Sequence, residues 1–322
     1  MMGWKTIIAI LFLLLLTVSY SVSGSPLQHK ILYVDSYHES YDWSAGITRG
    51  IQSVLNNKEN IELQIVRMDT KRNPSENHMQ SAALNVKGII ETWHPDVVIA
   101  SDDNASRYLI VPYYKETQLP FVFCGVNWDA GGYGFPLSNV TGMLEVQLVD
   151  KIIETLRVYA KGERVALLKG DDRSARIEAR FFEERCQVPI DKRFVTTFSE
   201  WKHQYLELQT EADMILVGNS ASISDWNNTE ALQFVMDNTQ VPTGNWDSWM
   251  APFALVTFAN KAEEQGEWAA RTALQILAGT SPSDIPITTN EKATVFLNMK
   301  LAKTLGIKFP LELIERATFT TQ

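Results

Sequence analysis

Short apolar segments alternate along most of the chain with segments whose apolar residues recur at helical spacing. The strand-like segments are residues 30–34, 61–66, 96–100 and 121–124, then 164–168, 194–198, 214–217 and the region after Pro242. Such alternation is typical of a parallel sheet with helices on both faces. Because the series occurs twice, it predicts an α/β protein with two lobes.

The last part of the chain continues this pattern. Residues 253–258 and 294–297 are apolar enough for buried strands, and residues 261–279 carry Ala and Leu at helical spacing until Gly279 ends the helix. Residues 285–287 are typical of a brief return crossing between the lobes. Asn298 can cap a helix over 299–305, which Gly306 ends.

Two C-terminal segments carry a family resemblance: GEWAARTALQILAGTSPSDIPI (266–287) and VFLNMKLAKTLGIKFP (295–310). They resemble the ABC-transporter substrate-binding family typified by tryptophan/tyrosine-binding lipoproteins. The text Gly125-Val-Asn127 after an apolar strand is similar to that family as well. The resemblance implies a type I periplasmic binding protein fold, in which two Rossmann-like lobes with parallel sheets are joined by a three-strand hinge.

A cluster of Gly and Pro over residues 131–136, followed by 139–142, predicts the first crossing between the lobes. The resemblance implies two more crossings, near Ala259 and near Pro282. We therefore expect an N-terminal lobe of residues 25–142 and 259–282, and a C-terminal lobe of residues 143–258 and 283–322.

The N-terminus has the pattern of an export signal. Lys5 precedes an apolar run over 6–16, and small residues at 22–24 favour cleavage there. We expect a signal peptide over residues 1–24 and a mature protein that is soluble and exported, in the periplasm. A retained membrane anchor stays open, because residues 6–22 are only slightly shorter than the ~20 that span a bilayer. The formal net charge of −9 makes nucleic acid an unsuitable partner.

Ligands of open parallel sheets bind beyond the carboxyl ends of the strands, and this rule selects candidate residues. In the N-terminal lobe these candidates are Tyr37, His38, Trp43, Asp102, Asn104, Asn127 and Trp128; in the C-terminal lobe they are Asp171, Asn219, Ser220, Trp246 and Asp247. Their rings and carboxylates favour an aromatic ligand that bears an amine. The alternative is structural, since rings also cover sheet ends and carboxylates also cap helices.

The sequence offers little support for a catalytic function or a metal site. The His residues are not spaced as metal ligands, and neither a Gly-x-Ser-x-Gly turn nor a phosphate-binding Gly-rich loop occurs. We expect no catalytic residue, metal or cofactor. The predicted function is that of a monomeric solute-binding protein that closes on a small organic molecule by hinge motion and delivers it to an ABC permease.

Two alternatives remain open. Residues 34–51, VDSYHESYDWSAGITRGI, resemble the sensor halves of some membrane signalling proteins. The protein could then report its ligand to a membrane histidine kinase or cyclase. The second alternative is an enzyme acting on a small solute.

Overall fold

The computed structural model describes residues 28–320. Its strands are β1 (His29–Asp35), β2 (Ile61–Arg67), β3 (Val97–Ser101), β4 (Phe121–Asn127), β5 (Val140–Glu145), β6 (Val165–Gly170), β7 (Ile190–Val195), β8 (Met214–Val217), β9 (Thr243–Asn245), β10 (Val256–Asn260), β11 (Thr288–Thr289), β12 (Ala293–Leu297) and β13 (Ala317–Phe319).

The α-helices lie between these strands. They are α1 (Asp42–Leu55), α2 (Glu76–Trp93), α3 (Asp102–Ala105), α4 (Val111–Tyr113), α5 (Val149–Arg157), α6 (Arg173–Cys186), α7 (Phe198–Glu211), α8 (Asn228–Asn238), α9 (Ala262–Leu277), α10 (Met299–Thr304) and α11 (Leu311–Glu315). A π-helical segment, Ser106–Ile110, joins α3 to α4, and short 3₁₀ segments cover Gly131–Tyr133, Ser248–Phe253 and Pro282–Asp284.

The strands form two separate sheets, one in each lobe. The first lobe contains a six-stranded sheet in the order β11-β5-β4-β3-β1-β2, and the second lobe a seven-stranded sheet in the order β13-β12-β10-β9-β8-β6-β7. Neighbouring strands are parallel except β10 and β12, which are antiparallel. The predicted α/β fold with two parallel-sheet lobes is confirmed, with one antiparallel pair near the edge of the second sheet.

Helices cover both faces of the first sheet, so its central strands β3 and β4 are buried except at Asn127. On one face, α2 and the helical segment after β3 pack over Leu32, Val98 and Phe123. On the other face, α1 and α9 pack over Ile31, Ile99 and neighbouring residues. The second lobe has one large core around β6, β8 and the rings of α7.

Helices α1 and α9 approach each other closely because glycines line their contact. A Cβ atom added to Gly266 of α9 would lie 2.0 Å from the carbonyl oxygen of Ile47, and one added to Gly50 would lie 2.2 Å from that of Glu263. This contact holds α9 in the first lobe although the helix follows β10 of the second. Both helices begin at the edge of the first lobe that faces the second lobe, α1 after β1 and α9 after the passage from β10.

The chain passes between the lobes three times. The strand pairings place these passages between β5 and α5, between β10 and α9, and between β11 and β12. The first passage lies C-terminal to the Gly/Pro cluster because β5 still pairs with β4 of the first sheet. Gly142, which suggested a loop, instead packs a strand against Phe123, where a Cβ atom would lie 2.3 Å from Cγ.

The third passage also lies later than expected. Residues 288–289 were assigned from the sequence to the second lobe, but they pair with β5 as the edge strand of the first sheet. Two polar threonines at a sheet edge carry no apolar pattern by which a strand could be recognised. Similarly, residues 194–198 were expected to be a strand, whereas β7 ends at Val195 and α7 begins at Phe198.

Two asparagines tie the three passages together. The Val146 amide donates to Asn290 Oδ1 (2.8 Å), and Asn290 Nδ2 donates to the Val146 carbonyl (3.1 Å) and to Asn260 Oδ1 (3.1 Å). Asn260 Nδ2 donates to the same carbonyl of Val146 (3.0 Å). One residue of each passage thus takes part in a single hydrogen-bond cluster between the lobes.

We expect Asn290→Ala to lower the free energy of unfolding by about 1–3 kcal/mol, because Asn290 is fully buried and its loss leaves backbone groups of Val146 unpaired. Urea denaturation of both proteins measures the difference. Replacement of the exposed Asn57 is the control and should leave stability within about 0.5 kcal/mol. Equal stability of Asn290→Ala and the control would show that the cluster does not form in solution.

Residues 28–320 contain no helix that is both long enough and apolar enough to cross a membrane. The expected export signal, residues 1–24, lies outside the described residues.

Candidate ligand-binding site

A cavity of about 580 Å³ lies between the two lobes. Its wall consists of Tyr37, Tyr41, Asp42, Trp43, Arg49, Lys71, Asp102, Asn127, Glu145, Gln147, Trp246, Asp247, Ser248, Trp249, Ala259, Asn260, Ala262 and Glu263. The carboxyl ends of parallel strands from both sheets converge there, as expected for this class of fold. A cavity of this size can enclose a small organic molecule.

Several residues predicted from the sequence lie in this wall: Tyr37, Trp43, Asp102, Asn127, Trp246 and Asp247. The first-lobe residues lie at or shortly after the ends of β1, β3 and β4, with Trp43 at the start of α1, and the second-lobe residues follow β9. Because these strands are parallel, their ends bring together side chains that are far apart in sequence.

The other predicted residues do not line the cavity: His38, Asn104, Trp128, Asp171, Asn219 and Ser220. His38 Nδ1 lies 2.9 Å from Ser40 Oγ in the outer part of its loop. Asp171 forms a salt bridge with Arg176 on α6. Both side chains are engaged locally, away from the convergence of the strand ends.

Asn104, Asn219 and Ser220 lie behind the wall. Asn104 Nδ2 donates to Thr70 Oγ1 (2.8 Å), which links α3 to the loop after β2. Asn219 Nδ2 donates to Asp247 Oδ2 (3.2 Å), so it orients a residue of the wall. Ser220 is buried beside Met250.

Trp128 bridges the lobes instead of lining the cavity. It follows β4 of the first lobe with a positive φ of 59°, and its ring stacks on Phe181 of α6 at a centroid distance of 5.3 Å. Phe182 packs against Trp128 at 5.4 Å and edge-on against Trp246 at 4.9 Å. These rings connect the first lobe with the cavity wall of the second.

Sequence reasoning missed three groups of wall residues: Tyr41, Asp42, Arg49 and Lys71 in the first lobe; Ser248, Trp249, Ala262 and Glu263 at segment starts; and Glu145, Gln147, Ala259 and Asn260 at the passages. Tyr41 and Asp42 share a loop with predicted residues, and this loop was a usable signal. Glu145 and Gln147 had none, because the first passage lies later in the chain than expected. Ala259 and Asn260 lie where a crossing was expected, but a crossing does not by itself indicate contact with a ligand.

Hydrogen bonds fix the loop between β1 and α1, which supplies Tyr37 and Tyr41 and leads directly to Asp42 and Trp43 in the first turn of α1. Asp35 is fully buried, and its Oδ1 accepts from the Tyr37 amide (2.9 Å) and from Ser44 Oγ (2.7 Å). The Asp69 amide donates to the Tyr37 carbonyl (2.9 Å), which ties the loop that carries Lys71 to the same place. The rings are therefore held in position before any ligand enters.

Asp102 is the most strained residue of the wall. It begins α3 with a φ of 67°, in the left-handed region that side chains other than Asn, Asp and Gly rarely adopt. Its side chain is almost completely buried, and Oδ1 accepts from Trp43 Nε1 (3.1 Å). Burial holds the pKa of Asp102 well above its usual range, and the neighbouring carboxyl groups of Glu145 and Asp35 act in the same direction.

Two further carboxyl groups of the wall have raised pKa values. Burial raises the pKa of Glu145 to about 8, and repulsion from Asp103 and Asp247 adds to the increase. Burial raises the pKa of Asp247 as well, although the hydrogen bond from Asn219 opposes this effect. The cavity thus resists the full ionisation of its acids, because they are close together and poorly hydrated.

We expect the pKa of Glu145 to be visible in the pH dependence of stability. The charged and titratable groups around Glu145 include Tyr37, Lys71, Asp102, Asp103, Cys124 and Asp247. Because the folded protein holds the proton more tightly than the unfolded chain, the contribution of Glu145 to stability is full below pH ~4.3 and is lost as pH rises to about 8.

Thermal denaturation of Glu145→Gln beside the wild type measures this effect. The variant should match the wild type near pH 4.5, gain stability relative to it up to pH 8, and keep that advantage at higher pH. Glu59→Gln, at an exposed position, should show no such trend. A constant difference between Glu145→Gln and wild type across this range would contradict the raised pKa.

Aromatic rings form much of the remaining wall. Tyr37 and Tyr41 pack edge to face at 5.3 Å, and the Lys71 ammonium lies 4.9 Å and 4.7 Å from their centroids. In the second lobe, Trp246 is buried and the Lys169 ammonium lies 5.3 Å from its ring centroid, whereas Trp249 is 54% exposed. Such surfaces suit the flat face of a ring or an organic cation.

Acidic residues outnumber basic residues in the wall, where Asp42, Asp102, Glu145, Asp247 and Glu263 face only Arg49 and Lys71. A positively charged solute would favour the ionised form of these acids, so the site suits a cationic ligand better than an anionic one. Within the described part of the chain, no group of His, Cys, Asp and Glu residues could hold a metal ion.

Comparison with known proteins agrees with this architecture. The family model described as ABC transporter substrate binding protein matches residues 38–321. No curated protein sequence matches the chain significantly.

Solved structures resemble the chain over most of its length. The ligand-free, open structure of a substrate binding protein with adhesive properties from Clostridium difficile has a TM-score of 0.68 at 18% identity, covering 91% of this chain and 99% of that chain. An ABC domain in complex with L-Trp from Streptococcus pneumonia has a TM-score of 0.53 at 16% identity, with the same coverage of 91% and 99%.

A leucine binding protein from Thermotoga maritima has a TM-score of 0.52 at 12% identity, covering 78% of this chain and 83% of that chain. At these identities the likeness concerns the fold alone. It confirms the type I periplasmic binding protein fold that the sequence resemblance implied.

Proposed function

Because the chain belongs to the ABC transporter substrate binding protein family, we propose that it captures a small organic solute in the cavity between its lobes and delivers it to an ABC importer. The family is one of binding proteins and not of enzymes. The ligand would be released unchanged.

The composition of the cavity wall carries this proposal. Trp43 and Asp102 belong to the first lobe, Trp246 and Asp247 to the second, and Asn260 to a passage between them. A solute that contacts all of these groups stabilises one relative position of the lobes. Closure by hinge motion at the passages follows, because only the closed arrangement completes the contacts.

The chemistry of the wall supports an aromatic ligand that bears an amine. Tyr37, Tyr41 and Trp43 face Trp246 and Trp249 from opposite lobes, and a flat ring could pack between them. The excess of carboxyl groups would favour a positively charged nitrogen on the same molecule.

The proposed site of action is the periplasm, where a monomer released from its export signal would meet a membrane permease. This part of the proposal depends on the apolar pattern of residues 6–16 and on the family. Pulse labelling in cells, followed by fractionation and mass measurement of the N-terminus, would test cleavage near residue 24.

A sensory role is the second candidate, and one observation favours it. The segment that resembles sensor halves, residues 34–51, supplies Tyr37, Tyr41, Asp42 and Trp43 to the cavity. Neighbouring genes distinguish the two roles, since permease and ATPase genes support import, whereas a kinase or cyclase gene supports signalling.

A thermal-shift screen of amino acids, amines, nucleosides and sugars tests solute binding. A ligand present at 100 times its dissociation constant should add ~2.7 kcal/mol to the stability of the folded protein. If no compound class raised the midpoint, solute capture would be contradicted. Conversion of a binding compound by the pure protein would favour an enzyme instead.

A further inference from the structure

Two hydrogen-bond acceptors in the cavity wall lack a donor. Neither Asp102 Oδ2 nor Gln147 Oε1 has a hydrogen-bond partner among residues 28–320, and both atoms are shielded from solvent. Buried acceptors in proteins normally have a hydrogen-bond donor. An unpaired acceptor in a binding cavity therefore indicates that the ligand supplies the donor. An ammonium group, with three N–H donors and a positive charge, satisfies such acceptors better than a neutral or anionic group.

Asp102 is held in this arrangement at a cost in backbone strain. Its left-handed φ places the carboxylate beside Gly125, where a Cβ atom would lie 3.1 Å from Oδ1. Trp43 Nε1 donates to Oδ1, so Oδ2 is the oxygen of this nearly buried carboxylate that lacks a donor among the described residues. Strain at a ligand cavity is typical of a residue whose position serves binding.

The two basic residues of the wall, Arg49 and Lys71, are already engaged by other groups of the chain. The Arg49 guanidinium donates to Glu263 Oε1 from Nε (3.2 Å) and from Nη2 (2.6 Å). Helix N-termini often bind anions, but the first turns of the two long helices that begin at this cavity already contain Asp42 in α1 and Glu263 in α9. A ligand carboxylate would therefore meet repulsion where a helix could otherwise bind it.

Lys71, the other basic residue of the wall, shows that the pair Tyr37 and Tyr41 can bind a cation. Its ammonium lies within 5 Å of both ring centroids, at 4.9 Å from Tyr37 and 4.7 Å from Tyr41. The pair is thus a cation site that the chain fills with its own lysine. A ligand amine could replace this ammonium or lie next to it on the acidic side of the rings.

We propose that the ligand is an organic amine without a carboxylate group, and that the carboxylate of Asp102 binds its ammonium. This inference rests on the proposed function and narrows its substrate class. A zwitterionic amino acid with the same ring would satisfy Asp102 equally well, but its carboxylate would lie among five carboxyl groups of the wall. It could pair only by drawing Lys71 from the tyrosine rings or Arg49 from Glu263.

Matched pairs of compounds test the inference on the wild-type mature chain. Tryptamine and L-tryptophan, tyramine and L-tyrosine, and cadaverine and L-lysine differ only by the carboxylate group. Isothermal titration calorimetry gives the dissociation constant of each compound, measured near pH 7.5. We expect at least one amine to bind, and to bind at least ~10-fold more tightly than its amino acid, a difference of about 1.4 kcal/mol.

Each other outcome has a definite meaning. An amino acid that binds as tightly as its amine, or more tightly, overturns the inference and leaves solute capture intact. The same holds if a sugar or nucleoside binds while all three amines fail. If no compound of the matched pairs or of the wider screen binds, the inference and the proposed function both fail.

Discussion

Gly266→Ala is expected to lower the free energy of unfolding by about 3 kcal/mol, at the upper end of the range for overpacking. The new Cβ atom would lie 2.0 Å from the Ile47 carbonyl oxygen and 2.9 Å from the Ile51 amide nitrogen. Both are backbone atoms of α1, so no side-chain rotation relieves the clash. Helix α9 would have to move away from α1, which opens the apolar core beneath the two helices.

The same displacement should weaken ligand binding, because α9 begins at Ala262 and Glu263 in the cavity wall. Urea denaturation measures the loss of stability, and calorimetry measures binding. Gly88→Ala is the matched control, since Gly88 lies within α2 and a Cβ atom there would have no described neighbour within 4 Å. The control should gain about 0.5–1 kcal/mol. If Gly266→Ala were as stable as Gly88→Ala, α1 and α9 would not be in close contact.

Asp102→Asn is expected to reduce the affinity for an amine ligand by about 10- to 100-fold, because a hydrogen bond to a charged group contributes ~1.5–3 kcal/mol. Asn tolerates the left-handed backbone at this position and keeps an oxygen that can accept from Trp43 Nε1. The substitution therefore removes the negative charge and changes little else. The empty protein should not lose stability, since burial already favours the uncharged form of Asp102.

Calorimetry with the amine that binds most tightly to the wild type measures this effect. Asp171→Asn is the control, because Asp171 lies outside the cavity and pairs with Arg176. Its affinity for the amine should stay within about twofold of the wild type. Unchanged affinity in Asp102→Asn would exclude a direct role of this carboxylate, and a large loss in Asp171→Asn would show that the effect is not local.

The parallel strands were predictable because their signal is local. Residues 97–100 are apolar throughout, and β3 occupies Val97–Ser101. Strand β5 was missed because Gly142 suggested a loop, although here glycine makes room for the ring of Phe123. A sequence pattern does not distinguish a glycine that turns the chain from one that lets two segments approach closely.

The candidate site was predictable to the extent that strand ends define it. Asp102, Asn127 and Asp247 were selected because parallel strands end beside one another, and the cavity contains all three. Gln147 and Asn260 were missed because their place in the wall depends on how three distant passages meet. Trp128 was selected by the same rule as Asn127, but its positive φ turns the ring toward α6.

Whether both lobes bind one solute is tested most directly by a crystal structure of the protein grown with the tightest-binding compound. We expect the compound in the interlobe cavity, with its amine nitrogen about 3 Å from the carboxylate of Asp102 and its other atoms against Trp246. A compound bound outside this cavity, or in contact with only one lobe, would contradict capture between the lobes.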